Sequence, residues 1–294
     1  MRHGRWRFLA GALVPALVLH VVFVLSPYAQ AFYLSLTDWT GVAGEARLVG
    51  AGNYARLAGD GLFLDAVRNN ALLLAVVPLV TIALGLVLAG LLRSRRGAGG
   101  YQIVYFFPQL LSLVVIAVLW GFVYNPNTGL LNSGLRAVGL GGLARSWLAD
   151  PVFALPAVMA VLVWSSVGFY VVLFLAAIDA IPGELYEAAK LDGAGAWTTF
   201  WRVTLPLVRE TVQVAFVYLG IAALDGFAVV QVMTVGPGGP DGATEVIGLS
   251  LYRTAFTYGK FGYASAMGVA LFFATLTLAV LALRAGRRER LELA

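Results

Sequence analysis

The chain has 294 residues, of which 60% are hydrophobic and only 12% charged. A water-soluble domain of this length carries about twice that charge, and the hydrophobic residues here form runs long enough to cross a bilayer, about 20 residues each. With no cysteine and only His3 and His20 as histidines, disulfides, thiol catalysis and cysteine- or histidine-rich metal sites are excluded. The formal charge of +5 lies in short clusters beside the apolar runs, which is a topology signal rather than a nucleic-acid footprint.

Six spans are read in chain order: 8–30, 70–92, 101–124, 153–178, 210–233 and 262–284. Each exceeds strand length and lacks strict alternation, so the expected fold is all-α. It is a polytopic membrane protein, one transmembrane domain over residues 1–294, with outer loops at 31–69, 125–152 and 234–261 too small to fold alone. In the first span, basic residues, an apolar run and Ala29-Gln30-Ala31 mimic a cleavable signal peptide. The run from Phe8 to Leu25 is longer than most signal-peptide cores, so the span is read as retained. His20 within it is expected to be a buried hydrogen-bonding residue. An even number of spans puts both termini on one side. That side holds 13 Arg and Lys residues against 7 on the other. The excess predicts cytoplasmic termini and a cytoplasmic loop at 182–206.

Two spans carry candidate chemistry. The fourth mixes aromatics with hydroxyls at Trp164, Ser165, Ser166, Phe169 and Tyr170, the groups on which sugars stack and hydrogen-bond. The fifth holds Asp225, and an intramembrane carboxylate is a functional-site candidate by default. It competes with two plainer readings, a partner for a polar group on another chain or a residue in water near the outer end. Gly220, Ala222 and Ala223 nearby leave room for a ligand or a closely packed helix.

The loop at 182–206 has no residue that could do chemistry, yet it is patterned. Pro182 fits a first helical position, and Glu184 and Glu187 sit in the first turns, where acidic side chains suit the helix dipole. Leu185, Ala188 and Ala189 follow an i, i+3, i+4 pattern and predict one small apolar face. Gly193 and Gly195 break the helix. A second short helix carries Trp197, Phe200 and Trp201, and Pro206 precedes the next span. Two short helices with a glycine turn make a compact knob suited to a socket on another protein.

These residues also resemble a known pattern. Glu187-Ala188-Ala189, Gly193 six residues after Glu187, and Leu205-Pro206 are similar to the EAA loop of ABC importer permeases, with Val203 where isoleucine is usual. Asp192-Gly193-Ala194 resembles the sugar-importer branch. Further likeness lies in Gly50-Ala51-Gly52-Asn53-Tyr54, Asn69-Asn70, Phe106-Phe107-Pro108, Gly129-Leu130-Leu131-Asn132, the loop Thr234 to Pro240, and Phe261-Gly262-Tyr263-Ala264-Ser265-Ala266. The Gly238-Gly239-Pro240 loop resembles that of the first of two permease types, the maltose-F-like or glycerol-phosphate-A-like subunit. Each segment alone is explained by turns or packing; their order along the chain is not.

The resemblance implies a subunit that works with a second permease, an ATPase dimer and an extracytoplasmic solute-binding protein to import a sugar or sugar derivative. It implies that Glu184, Glu187, Ala188, Ala189, Asp192, Gly193, Leu205 and Pro206 couple to the ATPase, and that the solute passes Ser166, Phe169, Leu219, Ala222 and Ala223, with Asp225 beside them. No catalytic group, metal or resident cofactor is expected in this chain. A phosphate-binding loop requires Gly-Lys followed by Ser or Thr. The two lysines fail that test, since Lys190 follows Ala189 and Lys260 precedes Phe261. ATP and magnesium therefore belong to a partner. The alternative is a secondary transporter driven by an ion gradient, which calls for several intramembrane carboxylates or an ion site in broken helices.

Overall fold

The computed structural model describes residues 11, 13–41, 45–93, 98–234 and 238–287. Arg2, Arg5, Arg7, Arg95, Arg96, Arg288 and Arg290, used above to orient the chain, lie outside them, as does His3. The helices, in chain order, are α1 (Leu13–Leu34), α2 (Gly52–Gly59), α3 (Gly61–Arg93), α4 (Ala98–Phe106), α5 (Leu113–Val123), α6 (Leu130–Ala137) and α7 (Ala154–Asp179). They continue with α8 (Gly183–Leu191), α9 (Ala196–Leu207), α10 (Arg209–Leu224), α11 (Phe227–Met233), α12 (Ile247–Tyr252) and α13 (Phe261–Arg287). Among the described residues the only extended pairing is an isolated antiparallel bridge between Thr37 and Leu48.

Among the described residues, four helices are long and apolar enough to cross a membrane unbroken: α1, α3, α7 and residues Phe261–Leu281 of α13. The third and fifth expected spans are corrected. Residues Ile103–Leu110 meet α5 at 106°, so 101–124 is a broken span. Pro108 fixes φ and lacks an N–H, and the chain then runs extended through Leu111 and Ser112. In the expected span 210–233, α10 stops at Leu224, and a turn at Asp225-Gly226 precedes the short α11. On the other side α9 meets α10 at 71° through Val208, two residues after Pro206. Hydropathy averages composition over a window and passes over these interruptions, although Gln109, Arg209, Glu210 and Asp225 lie at or beside them. With each bent pair counted as one span, the total reaches six.

Two compact units divide the chain. The first is Met1–Leu64 with Ser250–Phe273. Here Asn53 Nδ2 donates to the carbonyls of Ser35 (2.8 Å) and Thr37 (2.7 Å), and the Tyr54 hydroxyl donates to Ser35 Oγ (2.7 Å). The Tyr263 hydroxyl donates to Asp60 (2.7 Å), and Arg56 lies over the Tyr263 ring. Gly262 has no room for a side chain, since a Cβ would collide with the carbonyl of Thr37. The Gly52-Asn53-Tyr54 and Phe261-Gly262-Tyr263 segments are thus loop fasteners. In α1 no described residue is buried, and His20 is exposed, which corrects the expectation of a buried hydrogen-bonding histidine. The helix continues without a break through Ala29-Gln30-Ala31.

The second unit is Asp65–Leu249 with Ala274–Ala294. Its centre is α7. Fifteen of its 26 residues are buried, on all sides, as expected of a helix that is apolar all round. One end of α7 packs Val158 and Val161 against Ile116, Val229 and Leu249; the other packs Phe174 and Ile178 against Ile82, Leu86, Val208 and Leu219. Between these ends, Gly168 lets α4 approach the backbone of α7, because a Cβ there would strike the carbonyl of Tyr105.

Candidate functional site

The knob folds as two short helices. Pro182 stands one residue ahead of α8, extended at ψ 132°, so Gly183 rather than Pro182 is the first helical residue. Glu184 lies in the first turn and Lys190 in the last, both favourable to the helix dipole. At the far end Gly193 has φ +77°. The Gly193 amide donates to Lys190 (3.0 Å) and the Ala194 amide to Ala189 (2.9 Å), the bond pair of a glycine-terminated helix end.

The apolar pattern of α8 divides differently from expectation. Ala189 is buried, but Leu185 and Ala188 are exposed. The inward face is instead Tyr186 with Ala189, and the Tyr186 ring packs on the core around Ile178 and Ile181. Its hydroxyl shares a 3.3 Å hydrogen bond with Thr204 on α9. Leu185 and Ala188 join an outward surface with Leu191 (89% exposed), Trp197 (75%) and Trp201, the two tryptophans meeting edge to face at 5.6 Å. Glu187 and Asp192 are exposed on the same knob, Leu205 is half-buried and Pro206 exposed. These exposed apolar residues, with the paired tryptophans, are not covered by the described chain.

Within the membrane region a cavity of about 230 Å³ opens between four helices, α5 contributing Leu113 and Ile116. Ser165, Ser166 and Leu162 come from α7, Leu219, Ala222 and Ala223 from α10, and Val77 from α3. The break ahead of α5 brings in Pro108, Gln109 and Leu111. Four of the expected solute-path residues therefore meet on one cavity. Phe169 and Asp225 are not on its lining. Phe169 leans on Phe106 (6.3 Å between rings) and Tyr170 (5.2 Å). Asp225 caps α10 in an exposed turn. Both serine hydroxyls donate to the Leu162 carbonyl, at 2.9 and 2.6 Å, which leaves their oxygens as acceptors. Gln109, which the residue pattern did not single out, brings an amide with both donor and acceptor. The volume is below the usual range of about 300–1,000 Å³ for a ligand pocket.

Asn69 and Asn70 fasten the opposite end. Asn70 Nδ2 donates to the Leu224 carbonyl (3.1 Å), where α10 ends, and its Oδ1 accepts from the Ile247 amide (2.8 Å), where α12 begins. Asn69 Nδ2 donates to the carbonyls of Ala243 (3.2 Å) and Glu245 (2.9 Å). The two asparagines hold the break in the fifth span and the loop after Gly238-Gly239-Pro240 against α3.

Residues 81–290 match the family of binding-protein-dependent transport system inner membrane components. The chain belongs to that family. This permease is 47% identical over 285 residues to a diacetylchitobiose uptake system permease protein of Streptomyces coelicolor, covering 93% of this chain and 80% of the relative. It is 39% identical to a probable ABC transporter permease protein of Bacillus subtilis (92% and 93% covered) and 32% identical to a multiple sugar-binding transport system permease protein of Streptococcus mutans (98% and 96%). Its fold is that of a chain in a bacterial ABC transporter that imports the acidic polysaccharide alginate, with TM-score 0.82 over 98% of this chain and 97% of that one at 24% identity. The matched region contains the whole knob and every cavity residue except Val77. In this permease the residues that pattern-reading overlooked are Gln109, Tyr186 and Gly168. Pro108 beside Gln109 signals the break, but nothing in the sequence tells which face Tyr186 takes.

Proposed function

We propose that this permease forms one half of a sugar-import pathway, moving a sugar or sugar derivative of roughly disaccharide size into the cytoplasm by alternating access. The observation that carries the solute reading is the cavity, with two serine acceptors and an amide on an otherwise apolar wall. Such a wall suits a solute rich in hydroxyl donors. The relative named for diacetylchitobiose uptake, at 47% identity, favours an amino-sugar oligomer among the candidates. The same chemistry would accept a neutral disaccharide.

The chain is a transport subunit, not an enzyme. A partner ATPase binds ATP and magnesium, and its closure pushes on the knob through Glu184, Glu187, Ala188, Ala189, Asp192 and Gly193, with Leu205 and Pro206 leading the motion into α10. ATP acts by binding one of two states preferentially, which is what shifts the population. A second permease completes the cavity, and an extracytoplasmic binding protein delivers the solute. The 13-to-7 bias of basic residues favours cytoplasmic termini.

The test is uptake into proteoliposomes holding the chain with its co-purified partners. Labelled diacetylchitobiose and maltose are compared, with the Glu187→Ala, Gly193→Pro variant as control. Uptake of either sugar that needs ATP and vanishes in the variant supports the proposal. If ATP drives neither sugar and an imposed ion gradient does drive uptake, the coupling reading is wrong.

A further inference from the structure

The helix α3 is far from the knob along the chain, yet its last residue reaches it. The Arg93 guanidinium carbon lies 4.1 Å above the centre of the Tyr186 ring on α8. Arg93 Nε is also 3.5 Å from Asp179, the last residue of α7. That ion pair is open to solvent, with the side chains 31% and 57% exposed, and open pairs contribute little. The ring contact is better supported. Tyr186 is half-buried, packs on the core at the end of α7, and is held at its far edge by Thr204, which is itself buried. The ring is thus a plate with Arg93 on its face and α9 at its rim.

The path continues along α3. Sixteen residues from Arg93, Val77 lines the cavity, and beyond it Asn70 joins the break after α10 to the start of α12. One helix therefore touches the knob, the cavity wall and the outer fastening. Pro78 lies beside Val77 inside α3, which nevertheless runs as one helix from Gly61 to Arg93.

We propose that Arg93 is a positioning residue that transmits movement of the knob into α3 through its stack on Tyr186, and that α3 carries that movement past the cavity to the Asn70 fastening. This rests on the reading of 182–206 as the ATPase-docking loop. A cation above a ring resists shear and separation, so displacement of α8 moves the end of α3 with it. Without the stack, the knob would still dock and the ATPase would still turn over, but α3 would lag.

The experiment measures solute uptake per ATP hydrolysed in proteoliposomes, with ATPase retention on purification scored separately. Arg93→Gln should keep the ATPase and its turnover while uptake per ATP falls about fivefold, the factor that a partly desolvated cation–ring contact supplies. Arg93→Lys, which keeps a cation over the ring, should restore most of the ratio. Tyr186→Leu should match Arg93→Gln, Tyr186→Phe should stay near wild type, and the Arg93→Gln, Tyr186→Leu double variant should be no worse than either single one. An unchanged ratio in Arg93→Gln and Tyr186→Leu with the ATPase retained would overturn the transmission role alone. Loss of the ATPase from Arg93→Gln would also overturn it, by making Arg93 an assembly residue. A wild-type chain that purifies without any ATPase would remove the docking reading and this inference together.

Discussion

Replacing Gly193 by alanine isolates the contribution of one backbone conformation to the end of α8. Gly193 has φ +77°, and nothing lies within 4 Å of the position its Cβ would occupy. The substitution therefore meets no clash, and its cost is the left-handed backbone alone, about 1–2 kcal/mol for a residue with a side chain. That cost loosens the two bonds that close α8, from the amides of Gly193 and Ala194 to Lys190 and Ala189. In equilibrium terms it raises local opening about five- to thirtyfold. Hydrogen exchange of the segment 189–196, followed by mass spectrometry on the purified complex, reads this opening directly. Gly193→Ala should exchange faster by that factor, Gly193→Asn by less, since asparagine tolerates this conformation, and Gly193→Pro should lose protection entirely because proline fixes φ near −65°. Protection in α7 and α10 should not change. Equal exchange in wild type and Gly193→Ala, or a general loss of protection across those two helices, would refute the reasoning.

Three further outcomes follow from the geometry. Asn70→Leu leaves the Leu224 carbonyl and the Ile247 amide without their partner, at about 1–3 kcal/mol each; thermal unfolding in detergent should shift down by several degrees. Gly168→Ala forces α4 away from α7 at the carbonyl of Tyr105; overpacking of this kind costs about 1–3 kcal/mol, seen as a lower melting temperature, while Ala160→Gly, at an exposed position of the same helix, should cost about 1 kcal/mol, the propensity term alone. Ala222→Leu places a branched side chain in the cavity of about 230 Å³; solute uptake should fall at least tenfold with the ATPase still bound, and uptake at the wild-type rate would remove the cavity from the solute path.

Composition and order along the chain determined that this is a helical membrane protein. The runs of apolar residues, the low charge and the spacing from Glu187 through Gly193 to Leu205-Pro206 are local facts, and each maps to a local structure. The positive φ at Gly193 and the meeting of Ser166, Leu219, Ala222 and Ala223 follow from such signals and from the family resemblance. What only the tertiary structure decided is where helices stop inside apolar runs and which face each short helix presents. The breaks at Leu111-Ser112 and Asp225-Gly226 leave the averaged hydropathy high, because the few polar residues at each turn are outweighed by the apolar helices on either side. Tyr186 and Leu185 are adjacent and both apolar enough to be buried. Only the positions of Arg93, Thr204 and Ile181, contributed by other elements, select Tyr186 for the inside. His20 shows the same limit, since a polar residue in a span is buried only if its own bundle covers it, and no described residue of α1 is buried. Gln109 enters the cavity for a related reason: a residue beside a proline reads as a loop, and the direction of that loop is set by the helices packed around it.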